Sequence, residues 1–315
     1  MLFGEHAVIY DFPCLVTAVD LRIQVSVERI DSPTIQIDTP HLRDLQKDSS
    51  LTLDELFTHN LDEAHTNFII ASIRNVFSKH QLHQGLRIKT TGPVNSFGLG
   101  SSSAVTVATI YALTKLFGIE LDKRSLFDLA LSTVLDVQKV GSGFDVASAI
   151  FGGTLFFQPG QRMDPLQIKK LPLVIGFSGA KVSTTDLVRQ VDGLHHQFPE
   201  IIDLIFATIG QIASTARVAI DQNDWQTAGL LANINQGLLD GLGVSSDSLD
   251  RPIRAARQAG ALGAKLSGAG GGDCMFAIVD EGSRMAVENA IQAAGAQVLH
   301  LGTNAEGVRL ETGID

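Results

Sequence analysis

The chain has 315 residues, of which 44% are hydrophobic and 18% charged, and its formal net charge is −10 at pH 7. That length suits two domains or one large one, and the apolar content is ample for a packed core. The acidic balance argues against a nucleic acid partner, and an anionic metabolite would need locally concentrated basic groups. No apolar run reaches the ~18–20 residues of a bilayer span, and no secretory leader opens the sequence. No membrane association is expected. Cys14 and Cys274 lie far apart and neither belongs to a Cys-x-x-Cys pair, so a reduced, cytoplasmic setting is the simplest expectation. The nine histidines show no metal-ligand spacing. His195 and His196 are adjacent and would point apart on a helix.

In chain order, residues 15–30 alternate and are rich in Val, Leu and Ile, which predicts one or two strands with a turn near Asp20. Another short strand is predicted over 34–38, and 41–60 reads as loop or weak helix. Residues 62–80 carry Ala64, Phe68, Ile69, Ile73, Val76 and Phe77 as a helical stripe. A strand at 86–90, a glycine turn and a helix to Phe117, stopped by Gly118, follow. A further helix is predicted over 125–135, with a glycine-rich turn at Gly141-Ser142-Gly143; 145–150 is short and rich in small residues and is broken by Gly152-Gly153, and a strand is predicted at 154–157. The polar stretch 158–170, with Pro159, Gly160 and Pro165, predicts the boundary between a domain at 1–170 and one at 171–315. Beyond it come a strand at 173–177, helices near 184–193, 198–221, 223–240 and 250–260, and extended segments at 264–268 and 274–279. A helix at 281–294 and strands at 297–301 and 307–311 close the series. Strands mixed with segregated helices predict an α+β fold rather than a doubly wound parallel sheet.

Two glycine-rich segments carry the chemistry. The first, Gly98-Leu99-Gly100-Ser101-Ser102-Ser103-Ala104, lies between a predicted strand and a predicted helix. Free N–H groups and the positive end of a helix dipole then point at one spot, and glycine lets the backbone approach phosphate oxygens. The competing reading is a serine-capped helix with no ligand. The P-loop, dinucleotide and protein-kinase signatures are missing. The second segment is Ser267-Gly268-Ala269-Gly270-Gly271-Gly272-Asp273-Cys274, where Asp273 and Cys274 read as the start of a strand.

These residues resemble the galactokinase–homoserine kinase–mevalonate kinase–phosphomevalonate kinase (GHMP) superfamily over most of the chain. Leu2-Phe3-Gly4-Glu5-His6-Ala7-Val8-Ile9-Tyr10 looks like its first motif, Pro93 through Ala104 its phosphate loop, and Lys265 through Cys274 its third motif. Lys139-Val140-Gly141-Ser142-Gly143-Phe144-Asp145 looks like the segment that carries the catalytic aspartate. The resemblance implies a two-domain α+β architecture, with an N-terminal ribosomal-protein-S5-like domain and a C-terminal ferredoxin-like domain. It implies ATP and Mg²⁺ as cofactors, a small-molecule substrate, and possible pairing as a homodimer.

Carried over position by position, the resemblance implies that Pro93, Gly98, Leu99, Gly100, Ser101, Ser102 and Ser103 hold ATP. Ser102 would ligate Mg²⁺, with Asp136 as its acidic partner. Asp145 would be the base; its competing reading is a helix N-terminal carboxylate. Glu5, His6, Thr184, Thr185, Gly270 and Gly271 would line the substrate site, the threonines competing with a capping role. The acceptor implied is mevalonate, converted to 5-phosphomevalonate in isoprenoid synthesis. The first motif, Asn233 through Ser245 and the Lys181–Thr185 segment lean that way. Lys139–Asp145 and Gly272-Asp273-Cys274 lean toward phosphomevalonate as acceptor. A glutamate at position 5 is expected to repel a phosphorylated substrate, while Lys181, Arg189 and Arg22 are the cations that could hold one. The superfamily's Pro-Gly-Lys ahead of the first motif is missing; a start upstream of Met1 is expected to restore it, the alternatives being an impaired enzyme or a substitute in Lys139 or Lys181. Its loss is the support for a third reading, a non-catalytic metabolite-binding homologue.

Overall fold

The computed structural model describes residues 1–39, 49–61, 65–92, 97–168 and 170–311. A 3-10 turn, Ala7–Tyr10, leads into β1 (Cys14–Thr17), β2 (Gln24–Ile30), β3 (Thr34–Asp38) and β4 (Ser49–Thr52). Helices α1 (Leu53–Thr58) and α2 (His65–His80) precede β5 (Gly85–Thr91). Next come α3 (Ser101–Leu116), α4 (Lys123–Gln138), α5 (Phe144–Phe151), β6 (Thr154–Gln158), β7 (Arg162–Pro165) and β8 (Leu173–Phe177). Four helices follow, α6 (Thr184–Gln197), α7 (Pro199–Asp221), α8 (Trp225–Gly241) and α9 (Asp247–Gln258). The series ends with β9 (Gly263–Ser267), β10 (Cys274–Ile278), α10 (Arg284–Ala293) and β11 (Gln297–Leu299). The fold is α+β, as expected.

Contacts divide the chain into two units. One comprises Met1–Asp20, Phe97–Leu99 and Gly153–Ala305; the other comprises Leu21–Ser96, Gly100–Gly152 and Glu306–Asp315. The division is therefore discontinuous, unlike a single cut at residue 170. The cause is strand pairing: β1 joins β6 antiparallel from Cys14↔Phe157 to Thr17↔Thr154, which carries the first residues into the later part of the chain. The polar stretch 158–170 is partly a hairpin, because β7 pairs with β6 across Pro159 and Gly160.

In the unit containing residues 21–96, the sheet order is β2-β5-β3-β4, with β3 and β5 parallel and the other pairs antiparallel. β5 alternates strictly, with Leu86, Ile88 and Thr90 buried and Arg87 and Lys89 exposed, so one face meets the core. Helices α2, α3 and α4 pack on one another, and Phe68, Ile73, Val105, Ile110 and Val134 fill the interior. α1 begins at a capping box, in which Thr52 Oγ1 accepts from Glu55 N and Glu55 Oε2 accepts from Thr52 N. No strand forms over 307–311. Val308 N instead donates to Ala149 O at 2.8 Å, and Arg309 pairs with Glu306 and Glu311.

The other unit holds the sheets β1-β6-β7 and β11-β8-β10-β9, antiparallel throughout. β10 is central, and all five of its residues are buried. α7 is 23 residues long and apolar enough to cross a membrane by length and composition alone. Its inner face, Ile202, Phe206, Ile209, Ile212 and Ala213, belongs to the core clusters of this unit, while Ile201, Leu204 and Val218 on the same helix are exposed.

Candidate active site

Two helix starts meet at Asp145. α3 opens at Gly100 and α5 at Gly143, both in the left-handed region with φ of 80° and 86°, and neither start is capped by a side chain. Glycine takes that conformation without strain and puts no cap side chain over the start of α3, while the first turn of α5 carries Asp145 itself. The cap residue of α3 is thus Gly100 rather than a serine. Asp145 Oδ2 accepts from Ser103 Oγ at 2.6 Å, and Asp145 Oδ1 accepts from Val146 N at 2.9 Å. A Cβ on Gly100 would stand 3.6 Å from the Asp145 Cβ, so the glycine turn and the carboxylate are neighbours. Ser103 is fully buried. Ser102 is half-buried, its carbonyl accepts from Thr106 Oγ1 at 2.9 Å, and its hydroxyl has no partner among the described residues.

Gly98 and Leu99 belong with the other unit. Phe97 holds them there: its ring lies edge-on to Phe177 at 5.2 Å, and its carbonyl accepts from Cys274 Sγ at 3.1 Å. Leu99 packs on the small cluster of Ile175, Cys274 and Leu299. Gly98, at φ 69°, lies so close to the Asp273 side chain that a Cβ would overlap it. Burial pushes the Asp273 carboxyl above its ordinary range, with Lys181 opposing. Cys274 opens β10, whereas Asp273, at φ 58°, is the turn residue just before the strand. The closeness of Asp273 to Gly98 was not legible, because 175 positions of chain separate the two.

The first motif and the third glycine loop form a second constellation. Glu5 is 1% exposed and Lys265 is fully buried, and the two form an ion pair. Asn235 Nδ2 on α8 donates to the other Glu5 oxygen at 3.1 Å, and the Lys265 ammonium also donates to Leu266 O at 2.6 Å. Burial pulls the Lys265 pKa down and Glu5 opposes it. Glu5 therefore does not present a free carboxylate to a pocket. His6 has φ 60° and ψ −48°, a strained conformation for a residue with a Cβ. Its Nε2 donates to Ala269 O at 2.8 Å. A neutral ring so bonded keeps Nδ1 as an acceptor. Burial lowers the His6 pKa, outweighing the Ala269 bond and Glu5.

Gly270 packs directly on the Val244 carbonyl, and Gly271 N donates to that same oxygen at 2.7 Å. A Cβ on Gly271 would meet Leu187 of α6 at 3.0 Å. α6 starts just after Ser183, whose hydroxyl caps Asp186 N at 3.3 Å. Ser183, not a threonine, is thus the cap, and Thr184 is exposed while Thr185 is half-buried in the first turn. The Asn233–Ser245 segment supplies the stitching. Asn233 Oδ1 accepts from Ala264 N, Gln236 Oε1 accepts from Leu266 N, and Gln236 Nε2 donates to Ser245 Oγ.

The oxygen donors Ser102, Ser103 and Asp145 fit a hard cation such as Mg²⁺, which keeps several waters and needs few protein ligands. Among the described residues no cluster of three or more metal-ligating side chains forms. Asp136 is tied elsewhere, since its Oδ2 accepts from Asn75 Nδ2 of α2 at 2.8 Å. Pro93 lies outside the described residues.

A model of the GHMP kinases N-terminal domain matches residues 67–153, and one of the GHMP kinases C-terminal domain matches 216–297. The mevalonate kinase of Thermococcus sibiricus is 36% identical over 321 residues, covering 99% of this chain and 96% of the relative. The Methanococcus jannaschii mevalonate kinase structure superposes with a TM-score of 0.78 at 24% identity, covering 96% of this chain and 94% of that one. Streptococcus pneumoniae phosphomevalonate kinase, solved with phosphomevalonate and AMPPNP, gives 0.77 at 18% identity, covering 96% of each chain. The chain belongs to the GHMP kinase family. At these identities the two structures establish the fold alone, and both acceptor types share it.

Proposed function

We propose that this protein transfers the γ-phosphoryl group of ATP to the C5 hydroxyl of mevalonate, giving 5-phosphomevalonate. The observation that carries phosphoryl transfer is the Asp145 carboxylate fixed between Ser103 Oγ and the N-terminus of α5, beside two uncapped helix starts. The choice of mevalonate rests on the near full-length relatives at 35–36% identity, which are mevalonate kinases.

Phosphoryl transfer asks a protein chiefly to position two oxygens and neutralise charge. Gly98, Leu99, Gly100, Ser101, Ser102 and Ser103 hold the ATP phosphates with backbone N–H groups and hydroxyls. Asp145 orients the acceptor hydroxyl and takes its proton. Mg²⁺, ligated by the Ser102 hydroxyl, supplies charge neutralisation on the phosphates when bound; Asp136 would join it only by releasing Asn75. His6 accepts a substrate hydroxyl at Nδ1, Thr184 and Thr185 hold the carboxylate end, and Gly270 and Gly271 let the third loop approach. Glu5 acts indirectly, through Lys265 and Asn235. The setting is the cytoplasm.

The expected repulsion of a phosphorylated acceptor by Glu5 does not hold, because Lys265 neutralises that carboxylate. A phosphomonoester needs cationic partners. Of the three candidates, Arg22 donates to the carbonyls of Glu306 and Gly307, Arg189 stands 3.7 Å from Asp186 in an exposed pair, and Lys181 is exposed, so the choice of mevalonate rests on the relatives alone. Asp145→Asn tests the assignment. Loss of the base is expected to lower mevalonate-dependent ADP release about 10²–10⁴-fold with ATP affinity near wild type. Turnover within a few-fold of wild type would remove Asp145 from the chemistry.

A further inference from the structure

We infer that Tyr10 is a positioning residue for the acceptor side of the site, pinning α6 against the segment that carries His6. The inference rests on Thr184 and Thr185, in the first turn of α6, as acceptor contacts.

α6 is weakly anchored by its own apolar side chains, since only Leu187 and Val191 are buried. Both threonines lie N-terminal to these, so their placement depends on what else holds the helix. Three polar or aromatic ties do so. Gln190 Nε2 donates to Gly243 O at 3.1 Å, in the turn that also receives Gly271 N. His195 Nε2 bonds Asp203 Oδ1 of α7 at 2.8 Å. The third tie is Tyr10, four residues after His6. Its hydroxyl donates to Asp192 Oδ1 at 3.2 Å. Its ring stacks on Phe206 of α7 at 4.3 Å and meets the His195 ring edge-on at 4.9 Å.

These contacts close a circuit. His6 is bonded to Ala269 of the third glycine loop, Gly271 of that loop packs on Leu187 of α6, and Asp192 of α6 returns through Tyr10 to the first motif. Every named acceptor group in this unit lies on that circuit. A shift of α6 would move Thr184 and Thr185 relative to His6; the helix starts at Gly100 and Gly143 belong to the other unit. The Tyr10 phenol is pushed up to about 12 by burial first and Asp192 second, so it stays a donor throughout the working pH range.

The test uses the full chain with mevalonate and ATP varied independently, for wild type, Tyr10→Phe, Asp192→Asn and the double variant. Tyr10→Phe keeps the ring stack and removes one hydrogen bond. It is expected to raise the mevalonate KM about three- to tenfold, with kcat and the ATP KM within about twofold. Asp192→Asn should act in the same direction, and the double variant should be little worse than Tyr10→Phe alone. Hydrogen exchange should speed up over residues 184–192 in Tyr10→Phe and stay unchanged over β10. An unchanged mevalonate KM, or equal rises in both KM values, would overturn the pin. If wild type fails to phosphorylate mevalonate, the substrate reading falls, and exchange alone still decides. Faster exchange confined to 184–192 upholds the pin, and unchanged exchange overturns it.

Discussion

His6 combines three features that rarely coincide by accident: burial, a positive φ, and one ring nitrogen committed to a carbonyl. Its folded pKa lies below the ordinary 6.5 because burial disfavours the charged ring. As pH falls through that ordinary value, the unfolded chain binds a proton that the folded chain refuses, so stability falls with acidification. Thermal unfolding followed between about pH 7.5 and 5.5 should show that loss in wild type and a smaller one in His6→Gln. Identical slopes would mean that His6 is not the titrating group. Ser102 offers a second test at this scale. Its hydroxyl has no partner among the described residues, while Ser103 is buried and bonded to Asp145, which supports Ser102 as the proposed Mg²⁺ ligand. Ser102→Ala should shift the Mg²⁺ dependence of ATP binding to higher concentration. A titration that overlays wild type would assign the ligand elsewhere.

Among the elements, the glycine–serine start of α3 was legible because its logic is local: strand, left-handed turn, helix. The same holds for α6 and for the glycines of the third loop. What sequence alone could not show were partners brought together across long stretches of chain. Glu5, Asn235 and Lys265 come from the first motif, α8 and β9, and Lys265 read only as the leading residue of a glycine motif. The Tyr10–Asp192 tie was hidden for the same reason. β7 and the irregular 307–311 segment misled in opposite senses. Polar composition concealed a hairpin, and a strand was expected at 307–311 where the backbone bonds α5 instead. The buried Glu5–Lys265 pair yields a prediction about how the β9 strand is held to the first motif. Glu5→Gln leaves an uncompensated buried ammonium and should cost about 3–5 kcal/mol in urea unfolding. Glu5→Gln combined with Lys265→Met should recover a substantial part of that loss. If the single change is near neutral, the pair does not hold the motif.

For the molecule as a whole, family membership follows from matches spanning both halves of the chain, while substrate choice is a finer matter on which the motifs divide. The segment before Asp145 and the Gly272-Asp273-Cys274 ending lean toward a phosphorylated acceptor. The first motif, the Asn233–Ser245 stitching and the near full-length relatives lean toward mevalonate. The most direct measurement is a coupled ADP-release assay giving kcat/KM for mevalonate and phosphomevalonate on the same preparation. The account predicts the larger value for mevalonate. Phosphomevalonate turned over about tenfold more efficiently would contradict it and make the aspartate segment the better guide to the acceptor.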